Sequence, residues 1–217
     1  MRTENLPQVF RTLREVAKRY DEPIAERQKR HRDPFRVLVG VLLSSRTKDD
    51  TTGPAVDRLF EQASTPEKIA SLPEKRIEEL IFPVGFYHTK ARHLRMMARM
   101  LLERFDGKVS QTIQELLSLP GIGRKSANLI LAVAFGIPAI CVDTHVHRIA
   151  NRWGYVKTKD PYQTETALRE KLPKRYWIEI NRLLVIYGQN VCTPISPYCS
   201  ACRIEKYCGK VGVTKTR

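Results

Sequence analysis

The sequence predicts an all-α protein. Three observations carry the prediction: apolar residues recur at spacings of three and four, residues that start and stop helices punctuate the chain at short intervals, and no stretch sustains the apolar–polar alternation of a strand. About ten helices joined by short turns would account for the chain. Hydrophobic residues make up 42% of the 217 positions, enough to bury a core and to exclude a disordered polymer.

Taken in order, Leu6, Val9, Phe10, Leu13, Val16, Ala17 and Tyr20 form the stripe of a first amphipathic helix. The run from Phe35 to Leu43 is apolar nearly all round, as in a fully buried helix. Three helix starts follow. Thr65-Pro66-Glu67 and Asp160-Pro161 each place a capping side chain before a proline, and Ser71 with Glu74 three residues on reads as a capping box. Gly107, Gly136 and Gly188 read as stops, because glycine most readily takes the left-handed turn that ends a helix. Pro138, just past one of these stops, is the best internal boundary, and no low-complexity segment or long linker interrupts the chain. Trp153 and Trp177 are expected in the core.

Lys and Arg number 38 against 23 Asp and Glu, a net charge of +15. That is more than solubility requires, and it favours a polyanionic partner, since each neutralised phosphate releases condensed counterions. The basic residues are denser at 27–32, 90–104 and 206–217. A membrane is the competing partner. The longest nearly apolar run, 129–142, falls short of the about 20 residues a helical span needs and contains Gly136 and Pro138. The N-terminus reads Met-Arg-Thr-Glu-Asn-Leu-Pro, with no apolar leader. A cytoplasmic or nuclear protein that is not secreted is the expectation.

The stretch from Leu119 to Arg148 carries the most chemistry. Pro120-Gly121-Ile122-Gly123 lies between an apolar pair, Leu116–Leu117, and a helix expected to begin near Lys125. Two glycines permit a tight turn and a close backbone approach, Ile122 plugs the hairpin into its own helices, and the N–H groups at the helix start attract an anion. Lys125 follows directly. To attack carbon an amine must be neutral, and an ordinary lysine is neutral about once in 2,500 molecules at pH 7. A helix N-terminus and surrounding positive charge both work against the ammonium form. Asp143 comes eighteen positions later, after Ile140-Cys141-Val142 and before Thr144-His145, which suits an N-cap. A capping carboxylate keeps the ionised form that can accept a proton. His145 and His147, two apart, point different ways on a helix and make a poor metal pair; each is structural or close to the nucleic acid.

Cys192, Cys199, Cys202 and Cys208 have six, two and five residues between them. This single tight run suits one compact [4Fe–4S] cubane better than zinc, which usually pairs two close knuckles across a longer gap. Disulfides rank below zinc without a secretion signal. Cys141, in Ala-Ile-Cys-Val, reads as a buried apolar residue.

Together, the motifs at 119–125, 142–148 and 192–208 resemble those of the endonuclease III family of DNA repair glycosylases, in order and in spacing, over a likeness reaching from about Phe35 to Cys208. The resemblance implies a two-lobed helix-hairpin-helix glycosylase fold with a C-terminal [4Fe–4S] cluster. One lobe would be a six-helix body over 28–137. The other would join 1–27 to 138–217 and hold the cluster on the four cysteines. Lys125 from one lobe and Asp143 from the other would face a DNA-binding cleft. The expected activity is a bifunctional DNA glycosylase and AP lyase, a monomer acting on double-stranded DNA with damaged or mismatched bases. Lys125 would attack the sugar C1′ of a flipped nucleotide and form a Schiff base, with Asp143 assisting. Relatives that only remove bases tend to lack a lysine at this place, so Lys125 favours lyase chemistry and oxidised pyrimidines such as thymine glycol. Gly121, Gly123, Arg124 and His145 would lie along the DNA.

Two further positions follow from the resemblance. Phe86, in Val84-Gly85-Phe86-Tyr87, matches a wedge that would fill the gap left by the flipped nucleotide. Arg46, in Ser44-Ser45-Arg46-Thr47, stands where bacterial relatives carry glutamine, which keeps open a mismatch glycosylase acting on T·G or U·G pairs. A non-catalytic binder of DNA structure is the alternative outside enzymes. The loop 193–198 departs from the family by lacking basic residues, which shifts phosphate contact toward Arg203, Lys206 or Lys210.

Overall fold

The computed structural model describes residues 1–29, 31 and 33–217. Arg30 and Arg32 of the basic group at 27–32 lie outside the described residues. Among those described, the chain forms twelve α-helices and three short 3-10 turns and no strand. It divides into two compact units: a central unit, Ile24–Ile137, and a terminal unit that joins Met1–Pro23 to Pro138–Arg217. The first division therefore falls at 23/24 rather than at 27/28, because the helix Ile24–Lys29 packs against central helices.

The terminal unit contains α1 (Leu6–Ala17), α10 (Thr144–Arg152), α11 (Pro161–Lys171) and α12 (Trp177–Asn190). Leu6, Val9, Phe10, Leu13 and Val16 bury the α1 stripe in a core with Val146, Ile149, Leu184 and Tyr187. The stripe ends one turn sooner than the sequence suggests: α1 stops at Ala17, and Tyr20 stands 40% exposed. Phe10 stacks on Tyr176 with ring centroids 4.0 Å apart. Trp153 and Trp177 are buried, and the Trp177 indole N–H donates to the Leu172 carbonyl at 2.7 Å, so the one polar atom of a large apolar side chain is satisfied. Cys141 is buried here too.

The central unit is built around α3 (Pro34–Ser44), which packs against α2 (Ile24–Lys29), α4 (Asp49–Gln62), α7 (Tyr87–Phe105) and α9 (Arg124–Phe135). Its residues from Val37 to Leu43 are all buried, as an apolar run without a polar face requires. Three six-residue helices, α2, α5 (Pro66–Ser71) and α8 (Ile113–Ser118), stand beside the longer ones, with α6 (Glu74–Ile81). The described residues of this unit thus hold eight helical segments where the resemblance implies six.

Helix starts were legible where a side chain makes the cap. Thr65 accepts from the Lys68 N–H and Asp160 from the Gln163 N–H. The Ser71–Glu74 capping box does not form. Ser71 is the last residue of α5 and its hydroxyl donates back to the Lys68 carbonyl, and α6 begins at Glu74 behind Pro73, which offers no side-chain cap. Gly107 and Gly136 take the left-handed conformation at or next to the ends of α7 and α9.

Gly188 is not a stop. It lies buried inside α12, where an added Cβ would stand 2.4 Å from His145 Nδ1 and 2.8 Å from Arg148 Nη2. The residue is glycine because α10 passes close, not because the helix ends. Gly188→Ala is therefore expected to destabilise the protein by about 1–3 kcal/mol through overpacking, despite alanine's better helix propensity. The loss would register in a thermal melt as a Tm lower by roughly 2–4 °C per kcal/mol. An unchanged or raised Tm would show that the α10–α12 contact relaxes at no cost.

Candidate functional site

The hairpin between α8 and α9 is set by contacts within the central unit. Gly121 has φ +80°, and a Cβ there would lie 2.6 Å from Leu42 Cδ1 and 2.7 Å from His93 Nδ1. Both conformation and space demand glycine. Ile122 is 5% exposed and its N–H donates to the Leu119 carbonyl at 3.1 Å, so the plug seats as its apolar character requires. Gly123 differs. Its φ is −93°, open to any residue, and nothing lies within 4 Å of where its Cβ would stand. The backbone at that point is left approachable, and the first amides of α9 have no carbonyl within the helix to bond. Arg124 and Lys125 are the first two residues of α9, and both side chains are exposed.

In the terminal unit Asp143 is the N-cap of α10. Its Oδ1 accepts from the N–H groups of His145 and Val146, each at 2.9 Å. The cap uses one carboxylate oxygen, and Oδ2 takes no part in it. The His145 ring seats against Gly188, with Arg148 Nη2 3.2 Å from its Nδ1. Arg148 also donates to the carbonyls of Gly188 and Cys192, while burial works against its charge. His147 meets Thr164 Oγ1 at 2.7 Å, in a polar group with Asn151 and Thr158. The two histidines do not converge.

Arg46 and Phe86 are 40 positions apart in the sequence, yet the fold brings them together. The Arg46 guanidinium lies 5.6 Å from the centroid of the Phe86 ring. Both are exposed, Phe86 to 61%, and both hold left-handed backbone, φ +52° and +59°. An exposed aromatic in a strained conformation has no packing reason to be there. Lys90, the first basic residue of the dense group at 90–104, does not face solvent: it is 5% exposed, and its ammonium donates to the carbonyls of Leu43 and Ser45 and to the Thr47 hydroxyl. One sequence signal was available, since Lys90 falls on the buried stripe Leu94, Met97, Leu101 of its own helix.

Cys192, Cys199, Cys202 and Cys208 are among the residues that line one cavity after the end of α12, together with Trp153, Tyr187 and Val191. Three of them already meet polar protein groups. The Tyr187 hydroxyl is 3.1 Å from Cys202 Sγ, Arg152 Nη1 donates to Cys192 Sγ at 3.4 Å, and the Lys210 N–H donates to Cys208 Sγ at 3.4 Å. Burial pushes the Cys199 and Cys208 thiols up. Among the described residues no set of three or more His, Cys, Asp or Glu is placed to hold a metal ion. The loop 193–198 obtains cations from elsewhere in the chain, and Arg152 donates to its Thr193 and Pro194 carbonyls. Arg217 donates from Nε to the Ser196 carbonyl at 2.9 Å, and its guanidinium stacks 4.0 Å over the Tyr198 ring. Of the basic residues expected to serve that loop, Lys210 is paired with Glu205 at 2.6 Å. Nothing in the local sequence pointed to Arg217. Among the described residues no helix is long and apolar enough to cross a membrane.

Residues 39–174 match the model of the HhH-GPD superfamily base excision DNA repair proteins. The chain is 43% identical to endonuclease III of Thermotoga maritima over 195 residues, covering 90% of this chain and 89% of that protein. It is 49% identical over 183 residues to the chloroplastic endonuclease III homolog 2 of Arabidopsis thaliana, covering 80% of this chain and 47% of the relative. The chain thus spans about half the length of that plant protein. Among solved structures, a trapped endonuclease III–DNA covalent intermediate superposes with a TM-score of 0.81 at 33% identity, over 94% of this chain and 95% of the other.

The Asp143 geometry separates capping from chemistry. Asp143→Ala is expected to cost about 1 kcal/mol through the lost cap, whereas Asp143→Asn keeps an acceptor at the same place and keeps most of that stability. Thermal melts of the pair check this; equal losses would mean that the charge rather than the cap stabilises α10.

Proposed function

Because the chain belongs to the HhH-GPD superfamily of base excision DNA repair proteins, and within it to the endonuclease III family, we propose that it is a bifunctional DNA glycosylase and AP lyase that removes oxidised pyrimidines of the thymine glycol kind from duplex DNA. The observation that carries this reading is Lys125, an exposed primary amine in the first turn of α9 directly behind a glycine hairpin. An endonuclease III of this fold has been trapped covalently on DNA, and a neutral amine is a nucleophile that forms such a bond.

The net charge of +15 draws the protein to the phosphate backbone. The open backbone at Gly123 and the amides that begin α9 receive phosphate oxygens, with Arg124 beside them. The damaged nucleotide is flipped from the duplex, and Phe86 with Arg46 fills the space it leaves. Neutral Lys125 Nζ bonds to C1′. The glycosidic bond breaks, and the base leaves with the bonding electrons and takes up a proton. Opening of the sugar ring gives a Schiff base; loss of a C2′ proton then expels the 3′ phosphate oxygen by β-elimination. Asp143 Oδ2, not used by the cap, accepts the proton that the amine sheds or stabilises positive charge on the sugar.

The four thiols around one cavity, with protein donors already on three of them, support Cys192, Cys199, Cys202 and Cys208 as ligands of a [4Fe–4S] cluster. When bound, the cluster supplies a rigid tie for the 192–208 segment; the base-excision steps need no electron from it. Arg217 gives that segment the cation its own loop lacks.

Borohydride reduction during turnover should fix the protein to DNA carrying thymine glycol, and Lys125→Ala should abolish the adduct. Persistence of the adduct in that variant would move the nucleophile elsewhere. Asp143→Asn should lower the rate of base release by about 10²–10⁴-fold while keeping binding. A panel of single-lesion duplexes tests the substrate class, and rapid T·G processing beside little thymine glycol cleavage would favour the mismatch reading. For the cofactor, a brown protein with iron and sulfide in equal amounts is expected; stoichiometric zinc in a colourless protein would overturn the assignment.

A further inference from the structure

We propose that Lys90 is a positioning residue, whose buried ammonium locks the loop carrying Arg46 to the turn carrying Phe86 and so holds the gap-filling pair in place before DNA arrives. The inference rests on the glycosylase reading above, and it concerns two segments of the central unit.

Lys90 is in the first turn of α7 and is 5% exposed. An ammonium has three protons, and each has an acceptor: the Leu43 carbonyl at 2.7 Å, the Ser45 carbonyl at 2.6 Å and Thr47 Oγ1 at 3.0 Å. These acceptors span the end of α3 and the loop on both sides of Arg46. Thr47 Oγ1 accepts in turn from the Gly85 N–H at 3.1 Å, which ties the loop to the residue before Phe86. The approach is close. A Cβ on Gly85 would stand 3.0 Å from the Arg46 carbonyl oxygen and 3.3 Å from Thr47 Oγ1. One lysine, one hydroxyl and one glycine therefore fix both ends of a two-segment clasp.

The clasp does something that ordinary packing does not. Arg46 and Phe86 both hold left-handed backbone, at a cost on the order of 1 kcal/mol or more each, and such conformations persist only where the surroundings over-determine them. The Lys90 ammonium has only neutral partners among its hydrogen bonds, and burial pushes it down to about 8. A methionine would fill the same volume without that desolvation cost. What the charge adds is direction: three short bonds that select one arrangement of the 43–47 loop. Its output is an exposed aromatic with a guanidinium 5.6 Å from its ring centre, presented to solvent rather than to the core. A rigid pair of this kind loses little side-chain freedom when it enters a base stack.

The test compares two substrates in single-turnover assays: thymine glycol in a duplex, where a nucleotide must be extruded and its gap filled, and an abasic site in a single strand, where neither is needed. Two variants are used. Lys90→Met removes the ammonium, and Thr47→Val keeps it but severs the link to Gly85. Each should lower duplex excision by roughly tenfold to a hundredfold, the scale of a small misplacement, while single-strand cleavage falls far less. Added to either variant, Phe86→Ala should cost much less than it costs the wild type, because the wedge is already misplaced. Equal losses on both substrates, additive losses with Phe86→Ala, or undiminished duplex excision by Thr47→Val would each overturn the proposal. If Lys90→Met does not fold, Thr47→Val alone decides. A wild-type protein that cleaves neither substrate would instead sink the glycosylase reading, and the clasp with it.

Discussion

An α-helix begins with N–H groups that have no carbonyl of their own helix to bond, and several of the residues proposed for function each stand at such a helix start. Asp143 stands at the start of α10, Gly123 and Lys125 at the start of α9, and Phe86 at the start of α7. The three starts are finished differently. At α10 a carboxylate oxygen takes two of the N–H groups, which orients an acid and leaves its second oxygen outside the cap. At α9 and α7 no side chain makes the cap. The α9 start is open at Gly123 and invites an anion, as the partial positive charge of a helix N-terminus does. One recurrent feature of the backbone thus yields an anion seat and an oriented carboxylate.

Such starts are useful only if neighbouring segments hold them in place, and here buried or half-buried cations do so. Lys90, Arg148 and Arg152 each spend a cation on backbone carbonyls: the 43–45 loop, Gly188 with Cys192, and Thr193 with Pro194. Desolvation works against the first two charges. Apolar residues would stabilise the core as well or better at such sites, but they would not select a loop conformation. The glycines at 85, 121 and 188 complete the fastening by letting backbone and side chains approach to distances a Cβ would forbid. Fasteners of this kind sit beneath the Arg46–Phe86 pair, beside the His145 ring and at Cys192.

Much of the architecture was legible because it depends on local patterns. The α1 stripe, the all-round apolar α3, the caps at Thr65, Asp143 and Asp160, and the stops at Gly107 and Gly136 each follow from side-chain periodicity or from residues adjacent in the chain. The misreadings share a cause. Gly188 looked like a stop, but its reason lies 40 or more residues away, in His145 and Arg148. Ser71 and Glu74 had the spacing of a capping box, yet Ser71 was already the last residue of α5. Lys90 belongs to a dense basic group in the sequence, and α7 turns it inward.

The sequence by itself determined that the chain is helical, that it carries a lysine behind a glycine hairpin, a capping aspartate and four clustered cysteines, and that its charge suits a polyanion. It could do so because periodicity, capping and charge are properties of neighbours along the chain. Only the tertiary structure decided that Arg46 lies against Phe86, that Lys90 ties their two segments together, and that Arg217 bonds to the 193–198 loop. Those pairings join residues 19 to 45 positions apart. They are selected by which helices pack against each other, and no local pattern records that choice.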